Sequence, residues 1–328
     1  MRVLVTGADG MLGSNIVRVL LEQGYQVCAL LLPNNAAPTL KGLPIEKRFG
    51  NILDAGVIRS VVAGCEAVIH AAALTDVWPN RSPLVRKVNL DGTCNIIEAA
   101  LYHRVQRFIY IGSGSSFAPG SRHAPGDENS PFNGNQYGLD YIDSKYLAQR
   151  AVLRAVQERS LPALVLAPTF MLGPYDSKPG AGKMILAIRS GKLPFYTPGG
   201  RNFVHVRDVA VAAVNALTKG RIGECYLAGN TNLTYPEAFA MIAEVTGTAA
   251  PRIKAPATLV KFAGLLGSAH AKLTNKPPVL SYAMARIGCN LQCFNCEKAV
   301  RELEMPQTPI RKAIRESFAW LRANGYTH

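Results

Sequence analysis

Along residues 1–170, short apolar runs alternate with longer stretches in which apolar side chains recur every third or fourth position. The run at 2–6 reads as a strand. Residues 11–23 read as a helix with Met11, Leu12, Ile16, Val19 and Leu20 on its apolar side, ended by Gly24. Further strands are predicted at 26–32, 68–71, 107–112 and 163–167, with helices near 54–63, 83–103 and 137–159. Strands joined by helices of this length cannot pair as hairpins; they need crossovers. The pattern therefore predicts an α/β fold, a doubly wound parallel sheet covered on both faces.

After Pro168 the rhythm breaks. Proline and glycine become frequent (Pro174, Pro179, Gly180, Gly191 and Pro194 among them) and the apolar runs shorten. The expected division is a first domain over 1–168 and, over 169–328, mainly a smaller C-terminal lobe that binds substrate. Residues from about 203 to 229 should return to the first domain, through a helix near 208–219.

The 328 residues are 48% hydrophobic and 18% charged, enough for a large core and too little charge for disorder. A net charge of +14, from 36 basic and 22 acidic residues, favours anionic ligands. The cations are scattered singly, so nucleic-acid binding is not expected. Seven cysteines, an odd number lying partly in apolar stretches, fit reduced thiols better than a disulfide framework. The apolar start runs straight into a glycine loop rather than a signal peptide, and no stretch reaches the ~20 apolar residues of a membrane span. The expectation is a cytoplasmic protein with a small-molecule substrate and no stable membrane insertion, with a homodimer as an open option.

Thr6-Gly7-Ala8-Asp9-Gly10-Met11-Leu12-Gly13 joins the first strand to the first helix. Glycines there let the backbone turn, approach a pyrophosphate and pack helix on strand, while the helix N-terminus offers N–H groups and the positive end of its dipole. The spacing is Gly-x-x-Gly-x-x-Gly, and its place directly after a strand makes 1–168 a Rossmann-type NAD(P)-binding domain with Gly7, Asp9, Gly10, Met11 and Leu12 facing the cofactor. A carboxylate for the adenosine ribose should close the second strand. Leu30-Leu31-Leu32-Pro33-Asn34-Asn35 stands there instead, and neither a carboxylate nor an arginine occurs between Glu22 and Glu46. Nothing repels a 2′-phosphate, and Lys41 and Arg48 are distant helpers, so the balance leans to NADP over NAD. Asn51 and Ile52 are candidates to face the adenine.

Tyr141-Ile142-Asp143-Ser144-Lys145 lies in a helical stretch, which puts Tyr141 and Lys145 on one face, a turn apart. An ammonium beside a phenol of ordinary pKa near ~10 stabilises the phenolate and lowers that pKa, the tuning that proton transfer needs. Alone, Tyr-x-x-x-Lys is a common pattern of solvated helix faces. Upstream, however, Arg107-Phe108-Ile109-Tyr110-Ile111-Gly112-Ser113 is an apolar strand ending in a Gly/Ser loop. It sets a hydroxyl at the carboxyl end of a strand, where α/β sheets bind ligands.

With these motifs the chain resembles the extended short-chain dehydrogenase/reductase family, in the branch of dihydroflavonol-4-reductase-like proteins and NAD-dependent epimerase/dehydratases that includes hopanoid-associated sugar epimerase-like sequences. The resemblance runs through the 6–13 loop, His70-Ala71-Ala72-Ala73, Val88-Asn89-Leu90-Asp91-Gly92-Thr93 and the Tyr141/Lys145 helix. It continues through Ala167-Pro168-Thr169-Phe170, the segment 202–210 and the segment 296–303. It implies that Ser113 binds the substrate oxygen, Tyr141 exchanges its proton, Lys145 holds the nicotinamide ribose and tunes Tyr141, and Asn89 supports the site. It further implies that Ala71, Ala72 and Ala73 line the cofactor with Ile111, and that Pro168, Thr169 and Phe170 meet the nicotinamide. Two departures stand out. Ile111-Gly112-Ser113 replaces the branch's Thr-Ser-Ser, with Ser115 as an alternative to Ser113, and Leu32 stands where the branch often has arginine.

Other signals read as structural. Cys289, Cys293 and Cys296 have a spacing that resembles an iron–sulfur ligand loop, but only 32 residues follow Cys296, and no metal is expected. His205 reads as packing and Asp208 as the cap of the following helix. His70 ends a strand among small residues, and Tyr137, without a lysine four residues on, reads as packing or substrate contact. The apolar stretch 257–273, dotted with basic residues, reads as a helix over the second lobe or the substrate mouth; contact with a membrane surface is the minority reading. The activity expected is NAD(P)-dependent carbonyl reduction or alcohol oxidation. The alternative is nucleotide-sugar epimerisation or dehydration at the same site, with no net cofactor consumption. A cofactor-binding regulator would not need Ser113, Tyr141 and Lys145.

Overall fold

A computed structural model describes residues 1–191 and 193–327. Its centre is a parallel sheet of β1 (Arg2–Thr6), β2 (Gln26–Leu31), β3 (Glu46–Phe49), β4 (Ala67–His70), β5 (Arg107–Ile111), β6 (Ala163–Pro168) and β10 (Cys225–Ala228), in the order β10-β6-β5-β4-β1-β2-β3. Every pairing is parallel. The chain has the Rossmann-like α/β fold.

Side chains of these strands alternate between two buried faces. Val3, Val5, Ile69, Ile109 and Leu164 meet α1 (Met11–Glu22) and α7 (Val206–Asn215). Leu4, Val68, Phe108 and Val165 meet α2 (Ala55–Val62), α4 (Gly92–Tyr102) and α5 (Asp140–Arg159). Burial on both sides explains the unbroken apolar runs. β3 differs because it is an edge: Glu46, Lys47 and Arg48 guard it with charge, so no apolar run marks it in the sequence.

The helix expected over 83–103 is three pieces: α3 (Pro83–Arg86), a π-helical turn (Lys87–Asp91) and α4. The wider turn carries Asn89, 1% exposed, into the interior. α5 starts at Asp140 rather than at 137, after a 3-10 turn over Gly134–Tyr137.

The second sheet is centred on β9 (Gly200–His205), which pairs in parallel with β7 (Phe170–Leu172) and β13 (Leu291–Gln292) and antiparallel with β11 (Thr231–Thr234). Two short strands, β8 (Phe195–Tyr196) and β12 (Ile253–Lys254), pair with each other. Leu172, Ile185, Phe203, Ile242 and Ile314 join α6 (Gly182–Arg189), α8 (Tyr235–Thr246) and α12 (Ile310–Ala323) into a separate core. α8 starts in a capping box of Thr234 and Glu237. α9 (Ala257–Thr274) and α10 (Tyr282–Gly288) form a hairpin, and α11 (Glu297–Glu302) packs on β10.

Candidate active site

Parallel strands share one carboxyl end, and the polar candidates gather there, over β1, β4, β5 and β6. At Gly7, φ is +66° and an added Cβ would stand 2.8 Å from Ala72 Cα, so both the turn and the close approach require glycine. Gly10 is different. Its φ is −75°, open to any residue, and a Cβ there would meet only Gly7 O, at 3.3 Å. No side chain caps α1, so the first-turn N–H groups of Met11 and Leu12 take no side-chain partner and are left to a ligand or solvent. The cradle fits a pyrophosphate.

At the adenosine end, Asn35 donates to Asp9 Oδ2 (2.7 Å) and Thr39 Oγ1 donates to Asp9 O (3.0 Å), tying the loop after β2 to the glycine loop. Leu32 follows β2 and is 56% exposed. Arg48, expected as a distant helper, is committed elsewhere: it donates to Glu46 (2.8 Å) and to Ala63 O (2.7 Å). Asn51 is at the surface, its Oδ1 accepting from Leu53 N (3.0 Å). The Ile52 side chain lies in the core against α4, and its carbonyl accepts from Asn95 (2.9 Å).

Past β4, half-buried Ala71, Ala72 and Ala73 leave the cleft free of bulk. Ala72 N donates to Thr6 Oγ1 (3.1 Å), and Thr6 Oγ1 sits 2.7 Å from His70 Nδ1. Thr93 Oγ1 spends its proton on Asn89 O (2.6 Å), so His70 Nε2 must donate to Thr93 (3.0 Å) and Nδ1 must accept from Thr6. Burial, with Lys145's charge behind it, lowers the His70 pKa to about 3. His70 is a neutral tie between β1, β4 and the helix behind them.

Lys145 is 4% exposed; its Nζ donates to Ile111 O (2.6 Å) and lies 4.6 Å from the Tyr110 ring centroid. Burial alone lowers its pKa to about 7. Tyr141, one turn earlier, is partly exposed to the cleft. Burial raises its pKa, against opposing pulls from the Ser113 hydroxyl and the Arg201 guanidinium. The sequence reading expected Lys145 to lower the Tyr141 pKa. Here desolvation wins, and the lysine points at a backbone carbonyl. Ser113, in extended conformation past β5, faces Tyr141; its Oγ is 2.8 Å from Ser115 Oγ and accepts from Ser115 N (3.2 Å), so Ser115 braces Ser113.

Asn89 does not touch the reacting groups. Its amide accepts from Leu74 N (2.8 Å) and donates to Leu74 O (2.9 Å) and to Ser144 Oγ (3.0 Å). It is a positioning residue that pins α5 to the loop after β4. Across the cleft, Thr169 N donates to Ala228 O (3.0 Å), Thr169 Oγ1 donates to Asn202 (2.8 Å), and Pro168 O lies where a Cβ on Gly114 would meet it at 3.3 Å. Phe170 packs edge-on against Phe203 (5.3 Å) and carries Arg201 4.9 Å above its ring.

Arg201 is the site residue that sequence reasoning missed; its one signal was a cation beside the Asn202-Phe203 motif. Tyr137 accepts from Asn290 Nδ2 (3.0 Å) and borders the site as packing. The cap of α7 is corrected too. His205 Nδ1 accepts from Arg207 N (3.0 Å) and caps the helix, while Asp208 accepts from Thr308 N and Oγ1 (2.7 Å each). Cys293 and Cys296 are buried and Cys289 half-buried, and among the described residues no metal-binding group of three side chains forms.

A family model described as NAD dependent epimerase/dehydratase matches residues 3–229, which contain the glycine loop, Ser113, Tyr141 and Lys145. The chain belongs to the NAD-dependent epimerase/dehydratase family. A relative in this family, the putative dihydroflavonol 4-reductase of Synechocystis, is 30% identical over 330 residues, covering 98% of this chain and 95% of that protein. The crystal structure of gox2253 is similar with a TM-score of 0.88 and 32% identity, covering 99% of each chain. PA4631, a nucleoside-diphosphate-sugar epimerase from Pseudomonas aeruginosa, is similar with a TM-score of 0.82 and 25% identity, covering 100% of this chain and 99% of that one. Epimerase/dehydratase family relatives of this chain thus include both reductases and epimerases.

Proposed function

We propose that this protein is a carbonyl reductase/alcohol dehydrogenase acting on a keto or hydroxyl carbon in an apolar substrate. The observation that carries the reading is the meeting of the Ser113 and Tyr141 hydroxyls at the end of β5, with Lys145 buried behind them. A bound dinucleotide supplies or accepts the hydride. Ser113 Oγ donates to the substrate oxygen and orients it, and Tyr141 Oη gives that oxygen its proton as the carbon gains hydride. A raised Tyr141 pKa keeps this acid loaded at neutral pH, as reduction requires. In the oxidative direction the phenol must first lose its proton, and the Ser113 hydroxyl and the Arg201 charge are the groups that favour the phenolate against burial. The wall beside Tyr141 is apolar, made by Val77, Phe132, Leu139, Ile142 and Met284, which supports an apolar substrate.

For the cofactor we favour NAD(H), against the lean from sequence. A 2′-phosphate needs a cation, yet Arg48 is tied to Glu46 and Ala63, and the Asp9 carboxylate occupies the corner joined to Asn35. The second reading, epimerisation or dehydration of a nucleotide sugar, is favoured by Arg201, a cation whose charge reaches the Tyr141 phenol and suits an anionic substrate group. Parallel incubations, with NADH and a panel of apolar ketones and with NAD and a panel of nucleotide sugars, decide between them. Stoichiometric loss of NADH absorbance supports the reductase, whereas sugar conversion with no net absorbance change supports the epimerase.

A further inference from the structure

Helix α9 presents its large residues outward and its small ones inward. Val260, Gly264, Gly267 and Ala271 recur every three or four positions and form the inner stripe. A Cβ on Gly264 would lie 2.6 Å from Ala285 Cβ and one on Gly267 2.4 Å from Leu280 O, so α9 meets α10 and its approach at backbone distance. The outer face carries Leu259, Phe262, Leu265, Leu266 and Leu273, each between 52% and 86% exposed, and Val279 in the turn to α10 is also fully exposed. Among the described residues, eight of the sixteen exposed large apolar side chains fall between Ile253 and Tyr282, so this is a patch and not scatter.

Its charge is as one-sided as its polarity. From 245 to 296 the chain has no aspartate or glutamate, while Arg252, Lys254, Lys261, Lys272, Lys276 and Arg286 are all basic. At about 100° per residue, Lys261 and Lys272 fall together along one edge of the apolar face. We propose that the outer face of α9 docks onto an anionic membrane surface, with Phe262, Leu266 and Leu273 entering the acyl boundary and the lysines meeting lipid phosphates. A second copy of the chain suits the face poorly, because a twofold contact would press each cationic edge against its like. The contact is peripheral, since among the described residues no helix is long and apolar enough to cross a membrane. Its place matters: beneath α9, Ala283 and Ile287 of α10 pack on Leu139 and Ile142, next to Tyr141. Docking therefore sets the catalytic cleft beside the lipid.

The test is co-sedimentation of the full chain with phosphatidylcholine vesicles, with and without about one-third phosphatidylglycerol. The expected result is binding to the anionic vesicles at least about tenfold above that to neutral ones, weakening with salt. The double variant Phe262→Glu, Leu266→Glu should lose at least about tenfold of that binding. Its melting temperature and NADH affinity should match the parent, because both side chains are exposed and outside the cleft. Absence of binding to anionic vesicles, or undiminished binding by the variant, overturns the proposal. So does a dimer in sedimentation velocity that the variant splits, which would give the face to a second copy. Sedimentation requires no turnover, so its outcome is independent of the proposed reaction.

Discussion

On the cofactor side of the cleft, Gly7 and Ala72 meet main chain to main chain, and the Thr6 and Thr93 hydroxyls tie down Ala72 N and the His70 ring, all within residues 2–93. On the substrate side the lining comes from distant segments through side chains: Tyr137 and Met284 pack in one apolar cluster, and Arg201 lies over Phe170. The first arrangement fails if one methyl group is added; the second can change its lining without changing its backbone. That difference allows one scaffold to hold one kind of cofactor and many substrates, which matches a family containing reductases and epimerases.

The contrast can be broken at Gly10. Gly10→Val should leave the fold intact, since its φ is ordinary, but should weaken dinucleotide binding by about 100-fold or more in calorimetric titration. Unchanged affinity would remove the phosphate seat from the account. Asn89→Ala withdraws three hydrogen bonds at a buried position and should cost about 2–4 kcal/mol in urea denaturation. A loss below 1 kcal/mol (roughly one exposed bond's worth) would mean that α5 is pinned by other contacts.

Lys145 gives a test in pH. Its folded pKa, about 7, lies below that of the unfolded chain, so between about pH 7 and about pH 10 the unfolded state binds more protons and stability rises with pH. The Lys145→Met variant lacks this slope. Its melting temperature relative to the parent, without cofactor, should be highest below pH 7 and decline toward pH 10; a pH-independent difference would contradict the burial argument. The smallest effect is expected opposite the cofactor. Met284→Ala should change KM for an apolar ketone by about tenfold or less and leave the NADH Kd within error. A large shift in NADH affinity would show that the two sides are not separable.

What was legible in the sequence follows the same division. β1, the glycine loop and the Tyr141/Lys145 helix obey local rules, and the structure places them where periodicity and spacing put them. β3 was hidden because an edge strand carries charge instead of an apolar run. The π-helical turn around Asn89 differs from an α-helix by one residue of register, which a window of helical spacing does not resolve. Asp208 read as a cap because it stands at a helix start; Thr308, a hundred residues later, takes its carboxylate, and His205 caps instead. The direction of Lys145 depends on Ile111 O and the Tyr110 ring, both on a strand that spacing within one helix cannot see.

The central claim is that the Tyr141 phenol moves the proton in a site whose cofactor seat is built separately. Tyr141→Phe, assayed side by side for NADH affinity and for turnover with any ketone the parent reduces, tests it directly. The account predicts an NADH Kd within about threefold of the parent and a kcat lower by about 1000-fold or more. A variant that keeps the parent's turnover would contradict it.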